Sequence, residues 1–458
     1  MKSDVVIVGG GPGGTAAAMF LVRQGIRPTI VEQARFPRYH IGESLTGAGG
    51  QVLRDLGLEG AMYERGYPAK QGVKVYGPSA KSTWFVPVTG RDVNWKMFPC
   101  DTWQVRRSEF DKMMLDEAVA RGTTLIPGRA TRPILTEDGS VRGVHVHMAD
   151  SDIVERIDSE VVLDCSGQAT WLANLGVTGP KYLGAYDRQI AIFSQVARAH
   201  RDNGPTRDAH PANTLIFYQK KHHWAWFIPL NDDVVSVGIV VPASYFTEKH
   251  ESREAFFLRE LHQAHPELKR RVPAVELVED VHVIPNYSYQ VKRFCGKGFI
   301  CIGDAHRFID PIFSFGVTVS MREAQLAAPV VAAYLAGAGR DRPNPFAEHQ
   351  LFCEVGTDVL EDALDSFWQH PMAFAYSVHV RHTEDLTDIL AGRLYERQPS
   401  PALHEFRALL GREGQREASY ESDDLYSVPI GSRYHPERAP IWDVKAVVET
   451  TEAWMGPR

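Results

Sequence analysis

Asp4-Val5-Val6-Ile7-Val8-Gly9-Gly10-Gly11-Pro12-Gly13-Gly14, read on through Glu32, decides the fold of this chain. Val5 to Val8 is a β-branched run with no polar position, which suits a strand buried on both faces. It runs straight into glycine, and Gly9, Gly11 and Gly14 satisfy GxGxxG. Thr15 to Gln24, with Ala16, Ala17, Ala18, Met19, Phe20 and Leu21, predicts a helix that stops at Gly25. Pro28 to Val31 predicts a second strand, with Glu32 at its end. Glycines keep the turn tight and let the backbone approach a pyrophosphate. The helix start offers unpaired N–H groups and the positive end of its dipole. Glu32 stands where an acid accepts hydrogen bonds from a ribose. A glycine turn with a purely structural role would leave that acid and its spacing unexplained. Gly9, Gly11, Gly13, Gly14 and Glu32 are therefore expected to bind a dinucleotide.

The rest of the chain bounds what can surround this unit. Its 458 residues, 44% hydrophobic and 23% charged, suffice for two or three packed layers. A net charge of −7 gives no electrostatic reason for a nucleic-acid or acidic-membrane partner. Phosphates must be held by local backbone geometry instead. The cysteines are Cys100, Cys165, Cys295, Cys301 and Cys353, an odd number with no CxxC pair and no metal-ligand spacing. A reduced, cytoplasmic protein without a metal is expected. The apolar start reads as a buried strand, not a secretory leader, and no stretch reaches the length of a membrane span.

GxGxxG does not choose between NAD and FAD; four later segments do. Arg35-Phe36-Pro37-Arg38-Tyr39-His40-Ile41-Gly42-Glu43-Ser44 follows the second strand, where a ribityl chain and flavin ring would extend. Trp103 to Asp111 leads into a helix, Val161-Val162-Leu163-Asp164-Cys165-Ser166-Gly167 is a strand with a small-residue turn, and Gly298 to Ala305 is a strand ending in Gly303-Asp304. Together these resemble the para-hydroxybenzoate hydroxylase-like flavoprotein superfamily. The resemblance implies FAD, with Asp304 at the ribityl and pyrophosphate region and Arg107, Gly42 and Ser44 among the cofactor residues. The plain alternatives are a surface cation for Arg107 and an ordinary helix cap for Asp304.

Three further segments narrow the resemblance. His223-Trp224-Ala225-Trp226-Phe227-Ile228-Pro229 holds WxWxIP intact. Alternation puts Trp224, Trp226 and Ile228 on one face of a strand, which by itself is usually core. Beside the flavin motifs, the hexapeptide resembles the signature of flavin-dependent halogenases. There, Trp224, Trp226, Ile228 and Pro229 would form a partition between flavin and organic substrate. Tyr67-Pro68-Ala69-Lys70-Gln71-Gly72 resembles the family's lysine segment, with Tyr67 in place of Phe. An isolated lysine is usually a solvated charge. The resemblance makes Lys70 the catalytic lysine, reached through a tunnel by hypohalous acid, and leaves Lys74 as the rival. Charged, it would polarise the halogen–oxygen bond; neutral, it could form a haloamine. Asp310-Pro311-Ile312-Phe313-Ser314-Phe315-Gly316 opens a long apolar helix to about Leu335. Its first amides, on Phe315 and Gly316, would hold a halide near the flavin. The family carries a small hydroxyl residue where Phe315 stands. The glutamate that tryptophan halogenases place two residues earlier is Phe313 here, which brings the chain closer to the phenol- and pyrrole-halogenating branch.

The resemblance thus implies chlorination or bromination of an electron-rich aromatic, phenol or pyrrole, free or tethered to a carrier protein. Reduced FAD would come from a separate flavin reductase, with O2 and chloride or bromide as co-substrates. The fold expected is α/β: a discontinuous Rossmann-type FAD domain over about 1–65, 100–175 and 280–345. Insertions at 66–99 and 176–279 would form a substrate-side β-sheet domain, followed by a mainly helical region, 346–458. The competing reading is an FAD monooxygenase or geranylgeranyl reductase-like enzyme without halide chemistry, which Phe315 favours and Lys70 with WxWxIP disfavours. A non-catalytic flavoprotein that binds a partner through its C-terminal region is the third.

Overall fold

Val5–Val8, Thr29–Glu32 and Val161–Asp164 are buried at every position, because layers cover both faces of the sheet they build. The computed structural model describes residues 1–79, 81–179, 181–183, 189–286, 288–291, 293–396, 400–412 and 440–442. The sheet has eight strands, in the order Val154–Asp158, Val141–Met148, Thr124–Leu135, Thr29–Glu32, Val5–Val8, Val161–Asp164, Phe299–Cys301 and Cys295–Gly296. The central five run parallel; the pairs at both margins are antiparallel. This is the expected α/β fold.

The first helix is Pro12–Arg23, three residues ahead of the expected start, because proline's fixed φ and missing N–H suit the opening turn. It packs against Gly316–Leu335. That approach is close. A Cβ on Gly13 would stand 3.2 Å from Ser320 Cβ, and one on Gly303 2.1 Å from Ser320 Oγ.

A second sheet runs Glu276–Leu277, Gln189–Ala197, Val234–Pro242, His223–Pro229, Thr214–Lys220, Gly72–Tyr76 and Thr83–Pro87, and His282–Asn286 also pairs with Gln189–Ala197. Strands from 72–87 and from 189–242 thus share one sheet. Its register sets Trp226 opposite Gly238, and Ile228 opposite Ser236, which in turn faces Gln195. Gly238 is where the indole of Trp226 lies: a Cβ there would meet the ring at 2.1 Å.

Beyond 346 the chain is helical, as expected, through Ala347–Gln369, Pro371–Tyr376, Thr383–Leu390 and Pro401–Leu409. Ala347–Gln369 is fixed by buried charge. Arg307 reaches Thr357, Asp358 and Glu361, while Arg412 reaches Asp362 and Asp365. Most of the Pro-rich end lies outside the described residues; Pro440–Trp442 pairs with Lys181–Leu183. Among the described residues no helix is long and apolar enough to cross a membrane, and no His, Cys, Asp and Glu cluster could hold a metal.

Candidate active site

The glycine turn is built by close backbone approach. Gly9 has φ +108°, and a Cβ on it would stand 2.4 Å from the carbonyl oxygen of Cys165. A Cβ on Gly14 would stand 2.0 Å from Gly9 O. Gly11 differs: its Cβ would meet only Arg38 Nη2, at 3.6 Å, on the open side of the turn. Gly11 caps Pro12–Arg23 with no side-chain hydrogen bond, so the helix start faces outward bare. Glu32 accepts the amides of Gly10 at 2.6 Å and Ala34 at 2.7 Å, which aims the carboxylate beside the turn.

A cavity of about 1140 Å³ opens from this turn. It exceeds the usual range for drug-sized ligands and has room for a dinucleotide and a chamber beyond it. Gly9, Gly11, Gly13, Glu32, Gly42, Ser44, Arg107 and Asp304 line it, together with Trp224, Trp226, Ile228, Ser314, Phe315 and Gly316. Most of the expected site residues are thereby brought together. Gly14, Lys70 and Pro229 are not on the wall: Gly14 packs on Gly9, and Pro229 ends its strand opposite Val235.

Arg107 is no surface cation. It is buried, holds Asp111 through Nε at 2.6 Å and Nη2 at 2.9 Å, and donates to Ile41 O. That contact bends the chain through Gly42 (φ +100°), where a Cβ would lie 2.9 Å from Arg107 Nη1. Asp304 stands in the short 3-10 turn Gly303–Ala305 that follows the strand Phe299–Cys301, with its backbone oxygen held by Tyr289 Oη at 2.6 Å. Burial pushes its carboxyl up to about 6. A Cβ on Gly316 would lie 3.7 Å from Asp304 Oδ1, so the two expected cofactor residues are neighbours. A bare helix start, a cradle that only hydrogen fits, an acid at the ribose end and a buried arginine suit FAD.

Lys70 stands one layer behind the wall. Its Nζ donates to Ser44 Oγ at 2.8 Å and to Leu45 O at 2.9 Å, and Ser44 Oγ pairs with Thr214 Oγ1 at 2.7 Å. Ser44 and Thr214 line the cavity. Burial pulls the lysine down to about 7, so charged and neutral forms coexist near neutrality. Lys74 is engaged elsewhere, 3.5 Å from Asp208 Oδ2, and does not line the cavity.

Trp224 and Trp226 stand on the cavity side of their strand, with ring centroids 5.8 Å apart. Trp226 Nε1 donates to Ser236 Oγ at 3.1 Å. Trp226→Ala would leave Gly238 and Ser236 facing a void, and is expected to cost about 3–5 kcal/mol of stability. Denaturant melts of both proteins check this; an unchanged midpoint would mean the ring is not packed.

Phe315 caps Gly316–Leu335 from the αR region and is buried edge-on to Phe313, centroids 6.4 Å apart. Phe313 in turn packs on Phe367, at 5.2 Å, from the C-terminal helices. Ser314 before it takes φ +61°, a strained value for a non-glycine residue of the kind that gathers at functional turns. Among the described residues, neither the Phe315 nor the Gly316 amide meets a backbone acceptor.

Some wall residues carried no sequence signal. Thr214, Thr357 and Leu360 arrive from two separate elements by tertiary approach, whereas Arg38 and Tyr39 belong to the segment after the second strand. Glu43 was legible in principle, lying between Gly42 and Ser44.

Residues 2–343 match the FAD binding domain family. The chain is 35% identical over 375 residues to a 1H-pyrrole-2-carbonyl-[peptidyl-carrier protein] brominase of Pseudoalteromonas luteoviolacea, covering 82% of this chain and 88% of the relative. It is 26% identical to the corresponding chlorinase of Pseudomonas fluorescens, covering 96% and 99%. Among solved structures, the flavin-dependent brominase Bmp2 superposes with a TM-score of 0.82 at 34% identity, covering 90% of this chain and 98% of that one.

Proposed function

The chain belongs to the FAD binding domain family and within it is a flavin-dependent halogenase, and from that premise we propose that it halogenates a pyrrole carried on a carrier protein. The single observation that carries the site reading is Lys70, buried behind Ser44 at the edge of a tryptophan-walled, flavin-sized cavity.

Bound reduced FAD, with O2, supplies the two-electron oxidation that turns halide into hypohalous acid. Gly9, Gly11, Gly13 and Gly14 shape the pyrophosphate turn, while Glu32, Gly42, Ser44, Arg107, Asp304 and Gly316 hold the rest of the cofactor. The amides of Phe315 and Gly316 take the halide, since a helix start favours an anion whatever the side chain. Trp224, Trp226, Ile228 and Pro229 keep the organic substrate from the flavin. Hypohalous acid passes through a tunnel to Lys70. With two N–H bonds committed to Ser44 and Leu45, the ammonium form keeps one donor for that acid and the amine form keeps its lone pair. The reduced cofactor comes from a separate reductase. Five free cysteines suit a reducing, cytoplasmic setting. The insertions 66–99 and 176–279 form a substrate-side unit beside the flavin domain of 1–65, 100–175 and 280–345, from which His282–Asn286 joins its sheet.

Similarity to the pyrrole-carrier brominase and chlorinase over most of the chain supports the tethered substrate. The test supplies reduced FAD, O2, chloride or bromide, and pyrrole-2-carbonyl carrier protein or a free phenol. A halide-dependent mass gain on the carrier is the expected result. Halogenation of the free phenol alone would overturn the tethered reading, and hydroxylation or reduction without halide would restore the monooxygenase or reductase-like alternative. Phe315→Ser belongs in the same assay. Losing its packing should cost about 3 kcal/mol, while the opened space beside the halide amides should raise activity or admit a larger halide. Unchanged halide dependence with a lowered melting point would leave Phe315 a packing residue only.

A further inference from the structure

Gly42, Glu43 and Ser44 cross the substrate-side sheet where Ile228, Ser236 and Gln195 stand in one row across three strands. Thr214 continues that row on the cavity wall and holds Ser44. Glu43 is 1% exposed and lines the cavity. Gln195 Nε2 donates to its Oε1 at 2.9 Å, and Oε2 has no hydrogen-bond partner. The Ser236 hydroxyl stands close to the carboxyl and favours its charged form, while accepting the indole N–H of Trp226. A neutral amide would serve Gln195 and Ser236 equally well, without the cost of burying an ionisable group.

The groups around it are mixed. Arg107 and Arg106 favour the charged carboxylate, Tyr39 and Glu279 stand nearby, and Lys70 lies beyond Ser44. Burial outweighs the arginines and lifts the carboxyl to about 7.

We propose that Glu43 is a proton-carrying residue of the flavin chamber, supplying through Oε2 the proton consumed each time a halide ion is oxidised. The proposal rests on the halogenase reading. Reduced flavin (FADH2), O2, X⁻ and the Glu43 carboxylic acid yield FAD, HOX, one water and the Glu43 carboxylate. Two electrons come from the flavin and two from the halide; O2 takes all four. The proton goes to dioxygen-derived oxygen, and chamber water restores it to Glu43. At the ring, C–H and O–X break, C–X forms, and hydroxide leaves with the ring proton as water.

Glu43→Gln keeps the shape and the Gln195 contact. FAD should still bind. Calorimetry in two buffers of different ionisation heat should find protons taken up or released when FAD binds the parent protein near pH 7, and measurably fewer with Glu43→Gln, where Lys70 and Asp304 still titrate in that range. Halogenated product per flavin oxidised should fall at least about 100-fold, the usual cost of losing a positioned acid, with hydrogen peroxide in its place. Glu43→Asp should restore part of the yield with a displaced pH profile. Wild-type yield in Glu43→Gln overturns the proposal. So does a lost yield whose pH profile and buffer-dependent heat are unchanged, because that is a structural effect. If the parent protein makes no halogenated product from any substrate, the halogenase reading fails, and the calorimetry still decides Glu43.

Discussion

Lys70→Met is expected to lose halogenated product at least about 100-fold, the scale for deleting one preorganised donor, while FAD binding and reoxidation by O2 persist. Lys70 does not line the cavity and reaches the flavin site only through Ser44. Ser44 keeps Thr214 as partner when the amine is gone. Methionine fills similar volume without a buried amine, so the melting point should hold or rise. The pH dependence of the residual activity of Glu43→Gln, in which the other group near 7 is gone, then identifies the working form, because burial sets this lysine near 7. If the ammonium acts, product formation falls as pH rises through 7; if the amine acts, it falls as pH drops through 7. Normal halogenation by Lys70→Met would move the role to Lys74 or elsewhere.

Gly11→Val should lose FAD without losing the fold. Gly11 has φ −74° and ψ −175°, extended backbone that valine adopts freely. Its new side chain enters the cavity, meeting only the movable end of Arg38. That is the space a pyrophosphate needs at the helix start. An affinity loss of at least about 100-fold, some 2.7 kcal/mol, is expected in flavin-fluorescence titration, with circular dichroism unchanged. Gly14→Val is the contrasting variant: its Cβ would fall 2.0 Å from Gly9 O, which is backbone and cannot swing aside, so the protein should not fold. Unchanged FAD affinity in a folded Gly11→Val would overturn the N-terminal reading.

These two glycines mark what kind of information each level holds. Gly9, Gly11 and Gly14 are equivalent as letters of a motif, yet a side chain on one would enter the open cavity and on the other two would meet backbone. The difference comes from the Cys165 turn and from Gly9 itself, which approach only once the parallel strands have paired. Likewise, alternation along one strand is enough to place Trp224, Trp226 and Ile228 on a common face. It cannot say that Gly238 lies beneath Trp226 or that Ser236 holds its indole, because cross-strand register is a property of two segments.

The sequence by itself determined the parallel βαβ start, the dinucleotide turn with its acid, and the long helix opening at Phe315-Gly316. These depend on local periodicity, on glycine's missing side chain and on proline's fixed φ, all written in adjacent residues. Only the tertiary structure decided that Lys70 stands behind Ser44, that Arg107 is buried against Asp111, and that Glu43 and Lys70 both sit near 7. Ionisation follows from how much water the fold removes and which charges it brings close, and neither quantity exists until segments far apart in the chain have packed.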